Sequence, residues 1–344
     1  MIEDYHMGYF ESVLIAEALT EGASNAVNVC LRVKPHEKVT LITDAATLEI
    51  GASIYHEIRK LGAPCNVFVL EDFGPRPHRD MPQPILDDLV TSRVSIYAVC
   101  GQKGELRTRM QMTKVVTDHC LRHGHMININ HQIMKEGMRA DFSEIDEIST
   151  RVWELGKAAK HIHATTARGT DIRAEFSPKL KWLKTSGIIR PEKWGNLPGG
   201  EVLTSPLMVN GTYVVDGVVG DYLCAKYGDL SQEPLTIVIN ESRIKEVYSD
   251  NRELEREFWE YCHTDENSDR VGEIAIGTNT HLNHVIGHIL QDEKIPGMHI
   301  AFGHPYSEHT GATWTSTTHI DVVGTRFNVW MEDMKIMQEG KFLI

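Results

Sequence analysis

The sequence predicts an α/β first half, with a parallel sheet covered by helices on both faces, followed by an α+β second half that is mainly β. Three observations predict it. Up to about residue 160, apolar β-branched runs alternate with segments of helical period. The strands of that half are apolar along their whole length, which suits strands buried on both faces. Beyond it the runs are short and punctuated by Gly, Asn and Pro, and helical spacing returns in only two places.

Each element follows in order. "YFESVLIAEALTEGASNAVNVCLRV" has helical spacing, with Leu14, Ala18 and Leu19 as its core stripe. "EKVTLIT" reads as a strand ending at Asp44, and "TLEIGASIYHEIRKLG" as a helix stopped by Gly62. "APCNVFVLED", "VSIYAVC" and "HMININ" read as strands; "PQPILDDLV", "LRTRMQMTKVVTDHCLRHG" and "SEIDEISTRVWELGKAAK" read as helices. This is a Rossmann-like order. No GxGxxG follows the first strand, so the fold class does not license a dinucleotide cofactor. "KHIHATTARGTDIRAEFS" reads as two strands around an "ARG" turn. "EVLTSP", "GTYVVDGVVG", "PLTIVINESRIKEVYS" and "IAIGTN" continue the β half, with helical spacing in "NRELEREFWEYCHTD" and "HLNHVIGHIL". A boundary near 159–165 divides the chain into 1–162 and 163–344.

Composition limits the partners. The 344 residues suffice for two domains and a sizeable core. A net charge of −13 argues against nucleic acid and anionic membranes. No apolar run approaches the ~20 residues of a membrane span. "MIEDYHMGYF" lacks the basic start and apolar stretch of a signal peptide. The six cysteines show no CxxC pairing and read as reduced core thiols of a cytoplasmic protein.

Histidine and carboxylate placement carries the chemistry. "NLPGGEVLTSP" puts Glu201 after a Gly pair at the start of a strand, and "RVGEIAIGTN" repeats the design with Glu273. "MHIAFGHPY" offers His299 and Tyr306; "TTHIDVV" offers His319 and Asp321. The i, i+2 spacing places His319 and Asp321 on one strand face, within reach of one ion or two adjacent ions. Imidazoles and carboxylates converging on one point make a metal site of hard or borderline type. His281, His284 and His288 share a helical face by spacing and read as a pocket wall or a solvated face. His304, Glu308 and His309 lie in the loop between His299 and His319 as candidates for substrate contact. "HIHATTARGT" contributes His161, His163 and Arg168; beside a Gly turn Arg168 reads as a surface residue by default, with bidentate clamping of an anionic substrate as the alternative.

"NLPGGEVLTSP", "GEIAIG", "HIAFGHPY" and "HIDVVG", in that order, resemble the metal-binding segments of the aminopeptidase T / aminopeptidase S metallopeptidase family. The upstream "VKPHEKVTLITD" and "GTDIRAEF" are also similar. The resemblance implies a pair of divalent ions (Zn, Mn or Co) held by Glu201, Glu273, His299, His319 and Asp321, with Tyr306 beside them. It implies an aminopeptidase-like hydrolase of amide or peptide bonds, acting on a small molecule or short peptide, and a homodimer. A carboxylate such as Glu273 would bridge the ions, and a water between them would become the nucleophile. Glu293, with Glu308 behind it, is the candidate proton shuttle. A more distant resemblance to 2,5-dihydroxypyridine dioxygenases implies an alternative: a mononuclear Fe(II) ring-cleaving dioxygenase of a hydroxylated pyridine-type substrate, held by His299, His319 and Asp321 alone. Glu201 and Glu273 favour hydrolysis.

Overall fold

A computed structural model describes residues 10–191 and 195–344. The N-terminal stretch 1–9, most of the segment read as lacking a leader, lies outside them. The chain divides into two compact units: 1–142 with 187–199, and 143–186 with 200–344.

The first unit holds a five-stranded sheet in the order Cys65–Val69, Val39–Thr43, Val94–Val99, Arg122–Ile127, Gly195–Asn196. Every pairing in it is parallel. Val39–Thr43 and Val94–Val99 are buried throughout, as uninterrupted apolar runs require when both faces are covered. The helix Leu48–Lys60 buries Ile50, Ile54 and Ile58, and the helix Leu106–Asp118 buries Thr108, Met112 and Val116. Both sets recur every four residues and so fall on one helix face.

Two expectations fail here. Leu14 is 93% exposed, because residues 13–16 are not helical; they separate a helical stretch at 10–12 from the helix that resumes at Glu17. Helical spacing therefore does not carry Leu14 into the core, although Leu19 is fully buried. The thiols are not all core residues either: Cys30, Cys65, Cys224 and Cys262 are buried, but Cys100 and Cys120 are exposed. Cys120 adopts positive φ (55°) just past the end of a helix, where the chain reverses at the surface.

The second unit is built on two sheets. The larger has eight strands, from Arg243–Tyr248 at one edge to Lys341–Phe342 at the other. The smaller runs in the order His319–Val323, Gly297–Gly303, Val271–Gly277, Glu201–Thr204, Leu183–Thr185, all antiparallel. Side chains from both sheets form one apolar core, closed by Val152 of the helix Phe142–Ala158 and by Leu254 and Phe258 of the helix Arg252–Tyr261. Tyr213 fixes the small sheet from the large one. Its buried hydroxyl lies 2.7 Å from the Met298 carbonyl and 3.1 Å from that of Val322, and accepts the Gly324 N–H at 2.9 Å.

"HLNHVIGHIL" is not the helix its spacing predicts. Residues 282–288 are irregular, with bends at 284 and 287, and a short helix starts only at Ile289. The buried carboxylate of Asp292 accepts the backbone N–H groups of Ile286 and His288 at 3.0 and 2.8 Å. It thereby offers this stretch hydrogen bonds that an extended helix would have made internally. His281, His284 and His288 consequently share no helical face. No helix among the described residues is long and apolar enough to cross a membrane.

Candidate metal centre

Strand alternation builds the centre. In the small sheet, even-numbered residues (Val202, Ile274, Ile276, Met298, Ile300, Phe302, Ile320, Val322) enter the core. The odd-numbered residues face the other way, and among them are Glu201, Glu273, His299, His319 and Asp321. Small residues lie between: Ala275 pairs with His299, Ala301 with both Glu273 and Asp321, Gly303 with His319, and Gly277 with Glu201. A face of large acids and imidazoles set among Ala and Gly leaves room above the sheet. Phe302, on the core side of the sheet, packs edge-on against Phe258 and does not face the cluster.

Two glycines shape that face. A Cβ on Gly272 would stand 2.3 Å from the Gly303 carbonyl oxygen, and the pairing register shifts between Val271 and Glu273 at that point. The bulge re-aims Glu273. A Cβ on Gly277 would stand 2.0 Å from the Ile295 carbonyl oxygen. Its absence lets the segment that follows the helix Ile289–Asp292 cross closely over the strand, and this brings Glu293 and Lys294 to the cluster.

Three groups of ligand atoms result: Glu201, Glu273 and His299; Glu273, His319 and Asp321; and Glu293, His299 and Asp321. Within each group the atoms lie within 4.8 Å of one another. The most direct sign that a cation fits is His299. Its Nε2 is buried without a hydrogen-bond partner among the described residues, yet Glu201 Oε2 and Glu273 Oε1 both stand 3.6 Å away. Such a gap is too long for a hydrogen bond. It is near the ~3.4 Å that separates two ligands each ~2.1 Å from a tetrahedral ion. His319 is prepared in the same way: its Nδ1 donates to the His304 carbonyl at 2.9 Å, leaving Nε2 to face Asp321 at 3.4 Å and Glu273 at 3.9 Å.

The electrostatics match a site that calls for positive charge. Burial disfavours protonated imidazole, but the carboxylates outweigh it: His299 is raised by Glu273 and Glu201, and His319 is pushed up to about 10, chiefly by Asp321. Burial alone would raise Asp321, and His319 holds it below its usual value. Glu293 is lifted above the usual carboxylate range by burial, with Glu201 and Asp321 adding to it and Lys294 opposing it. Tyr306 is raised by burial and by the nearby acids.

The remaining candidates are placed as follows. Tyr306 sits in the left-handed region (φ 49°), its ring 4.7 Å from that of His319. A non-glycine residue held there marks a conformation imposed by its surroundings. His304 accepts the Tyr306 N–H at 3.0 Å through Nδ1. Glu308 and His309 lie in the short helix Ser307–Thr310 with side chains more than half exposed, 3.9 Å apart. Asp292, one residue before Glu293, spends its carboxylate on backbone N–H groups.

Sequence reasoning missed Lys294. Its side chain has no exposed surface, and its ammonium reaches Glu201 Oε1 at 2.6 Å and Glu293 Oε1 at 2.5 Å. It also missed Thr185, whose hydroxyl donates to Glu201 Oε1 at 3.0 Å. Together they hold one oxygen of Glu201 and turn the other towards His299. The one available signal was Lys294's position directly after Glu293 in "QDEKIPGMH".

No curated protein matches the sequence at a significant level. Solved structures that share its fold include two of near-complete coverage. A 2,5-dihydroxypyridine dioxygenase from Pseudomonas putida KT2440 superposes with a TM-score of 0.70 at 14% identity, over 96% of this chain and 98% of that one. Wild-type AmpT from Thermus thermophilus superposes with a TM-score of 0.70 at 16% identity, over 95% of this chain and 99% of that one. Equal likeness to both leaves the choice of chemistry to the residues. Residues 139–342, which carry every side chain of the cluster, match the thermophilic metalloprotease (M29) family. The chain belongs to the thermophilic metalloprotease (M29) family, whose members are metal-dependent hydrolases.

Proposed function

We propose that the chain hydrolyses amide or peptide bonds of short substrates in the manner of an aminopeptidase, at a centre for two divalent ions (Zn, Mn or Co) that share Glu273. One observation carries this reading. Each of the three ligand groups combines two carboxylates with a single imidazole. An Fe(II) oxygenase of the 2-His-1-carboxylate type needs both imidazoles on one ion. Glu273 suits a shared position because its two oxygens face different imidazoles, Oε1 standing 3.6 Å from His299 Nε2 and Oε2 3.9 Å from His319 Nε2.

Bound divalent ions would supply an activated water and polarise the scissile carbonyl. The chain's own residues do the rest. Glu201, Glu273, His299, His319 and Asp321 would hold the ions. Glu293, buried and raised above the ordinary carboxylate range, can take a proton and pass it to the leaving nitrogen. Tyr306 keeps its proton at neutral pH, so its hydroxyl can donate to a developing oxyanion. His304 fixes the loop that carries Tyr306.

The test is to strip the protein with chelator, reload it with Zn²⁺, Mn²⁺ or Co²⁺, and assay aminoacyl-anilides. The reading predicts amide cleavage that disappears with the metal and returns on reloading. Activity on a hydroxylated pyridine only with Fe²⁺ would favour the dioxygenase alternative.

A further inference from the structure

Lys294 is the member of the centre that metal ligation does not call for. A fully buried ammonium is costly to desolvate and persists only where carboxylates neutralise it. Its two partners belong to different ligand groups: Glu201 to the group with Glu273 and His299, and Glu293 to the group with His299 and Asp321. The third group, Glu273, His319 and Asp321, contains neither of them. The positive charge is therefore built into one side of the cluster. The close crossing over Gly277 fixes the backbone of Lys294 there, and an ammonium without exposed surface has no water to retreat into.

We propose that Lys294 is a resident counter-cation that grades the two ion positions. An ion held by Glu273, His319 and Asp321 meets carboxylates that are not spent on a lysine, and binds first and tightly. An ion on the Glu201 side shares the Glu201 carboxylate with the ammonium, meets repulsion from a like charge, and binds second and weakly. Lys294 also spares the metal-free protein the repulsion between Glu201 and Glu293. This inference rests on the metallohydrolase reading above and adds a prediction about occupancy.

The test is equilibrium dialysis of the full-length chelator-treated protein against graded Zn²⁺, with bound metal counted by mass spectrometry. The wild type is expected to bind one Zn²⁺ at least roughly tenfold more tightly than the second. In Lys294→Met the second ion is expected to tighten towards the first. Asp321→Ala is expected to remove the tight class. Two ions of equal affinity in the wild type would overturn the inference while leaving the hydrolase reading intact; no binding at all would overturn both. A second ion weakened or lost in Lys294→Met would also overturn it, showing that Lys294 merely orients Glu201. If Lys294→Met does not fold, the wild-type titration decides alone.

Discussion

The ring of His319 and the backbone of His304 are locked together: Nδ1 donates to the carbonyl at 2.9 Å, and this fixes Nε2 as the nitrogen that faces Glu273 and Asp321. Orientation of a ligating imidazole through its other nitrogen is a recurrent feature of metal sites. His319→Ala should therefore lower bound metal and reduce kcat/KM by about 10²-fold or more. Circular dichroism should be unchanged. Full metal content in this variant would contradict the assignment.

Glu201 separates the two chemistries. If it holds an ion in a hydrolytic centre, Glu201→Ala should cost roughly 10²–10³-fold in kcat/KM. An iron site of His299, His319 and Asp321 would lose far less. The comparison is made by assaying Glu201→Ala beside His319→Ala, on the same substrate and at the same metal concentration.

Gly277→Ala tests how the centre is assembled. The added methyl would meet the Ile295 carbonyl oxygen at 2.0 Å, so the strand or the crossing segment must move. A loss of about 1–3 kcal/mol in urea unfolding is expected. Metal retention should fall as well, because Glu293 and Lys294 ride on the displaced segment. Unchanged stability and metal content together would refute the close approach.

In the first unit, His123 and His125 form a buried imidazole chain. His123 Nδ1 lies 2.8 Å from the Ser95 hydroxyl, and its Nε2 lies 3.2 Å from His125 Nδ1. Burial holds His123 down to about 3 and His125 well below its ordinary value. An unfolded chain binds these protons near pH 6.5, so between about 6.5 and 3 the unfolded state carries more protons than the folded one. Stability is then fully present above about 6.5 and declines as pH falls. The urea midpoint should drop between about pH 7.5 and pH 5, with a shallower slope in His123→Asn. Equal slopes would rule the pair out as the cause.

Much of this was legible in the sequence because strands impose a strict period of two. Gly-Glu before a β run, and His-x-Asp within one, put their polar side chains on one face while Val202, Ile274 and Ile320 filled the other. The parallel sheet was legible from uninterrupted apolar runs. What escaped depends on contacts far apart in the chain. Lys294 reaches the cluster through a crossing that Gly277 permits, and nothing local distinguishes it from a lysine at a helix end. "HLNHVIGHIL" has helical spacing, but Asp292, beyond its end, competes for its backbone N–H groups. Leu14 fits a helical stripe and lies in the break at 13–16 between two helical stretches.

The central claim is hydrolysis by a carboxylate-rich metal centre. Its most direct test places the reloaded protein with an aminoacyl-anilide in an oxygen electrode and follows amine release and dissolved O₂ together. The account predicts amine release at the same rate in air-saturated and anaerobic buffer, without oxygen uptake. Oxygen consumption with Fe²⁺ on a hydroxylated pyridine, and no amine release with any metal, would contradict it.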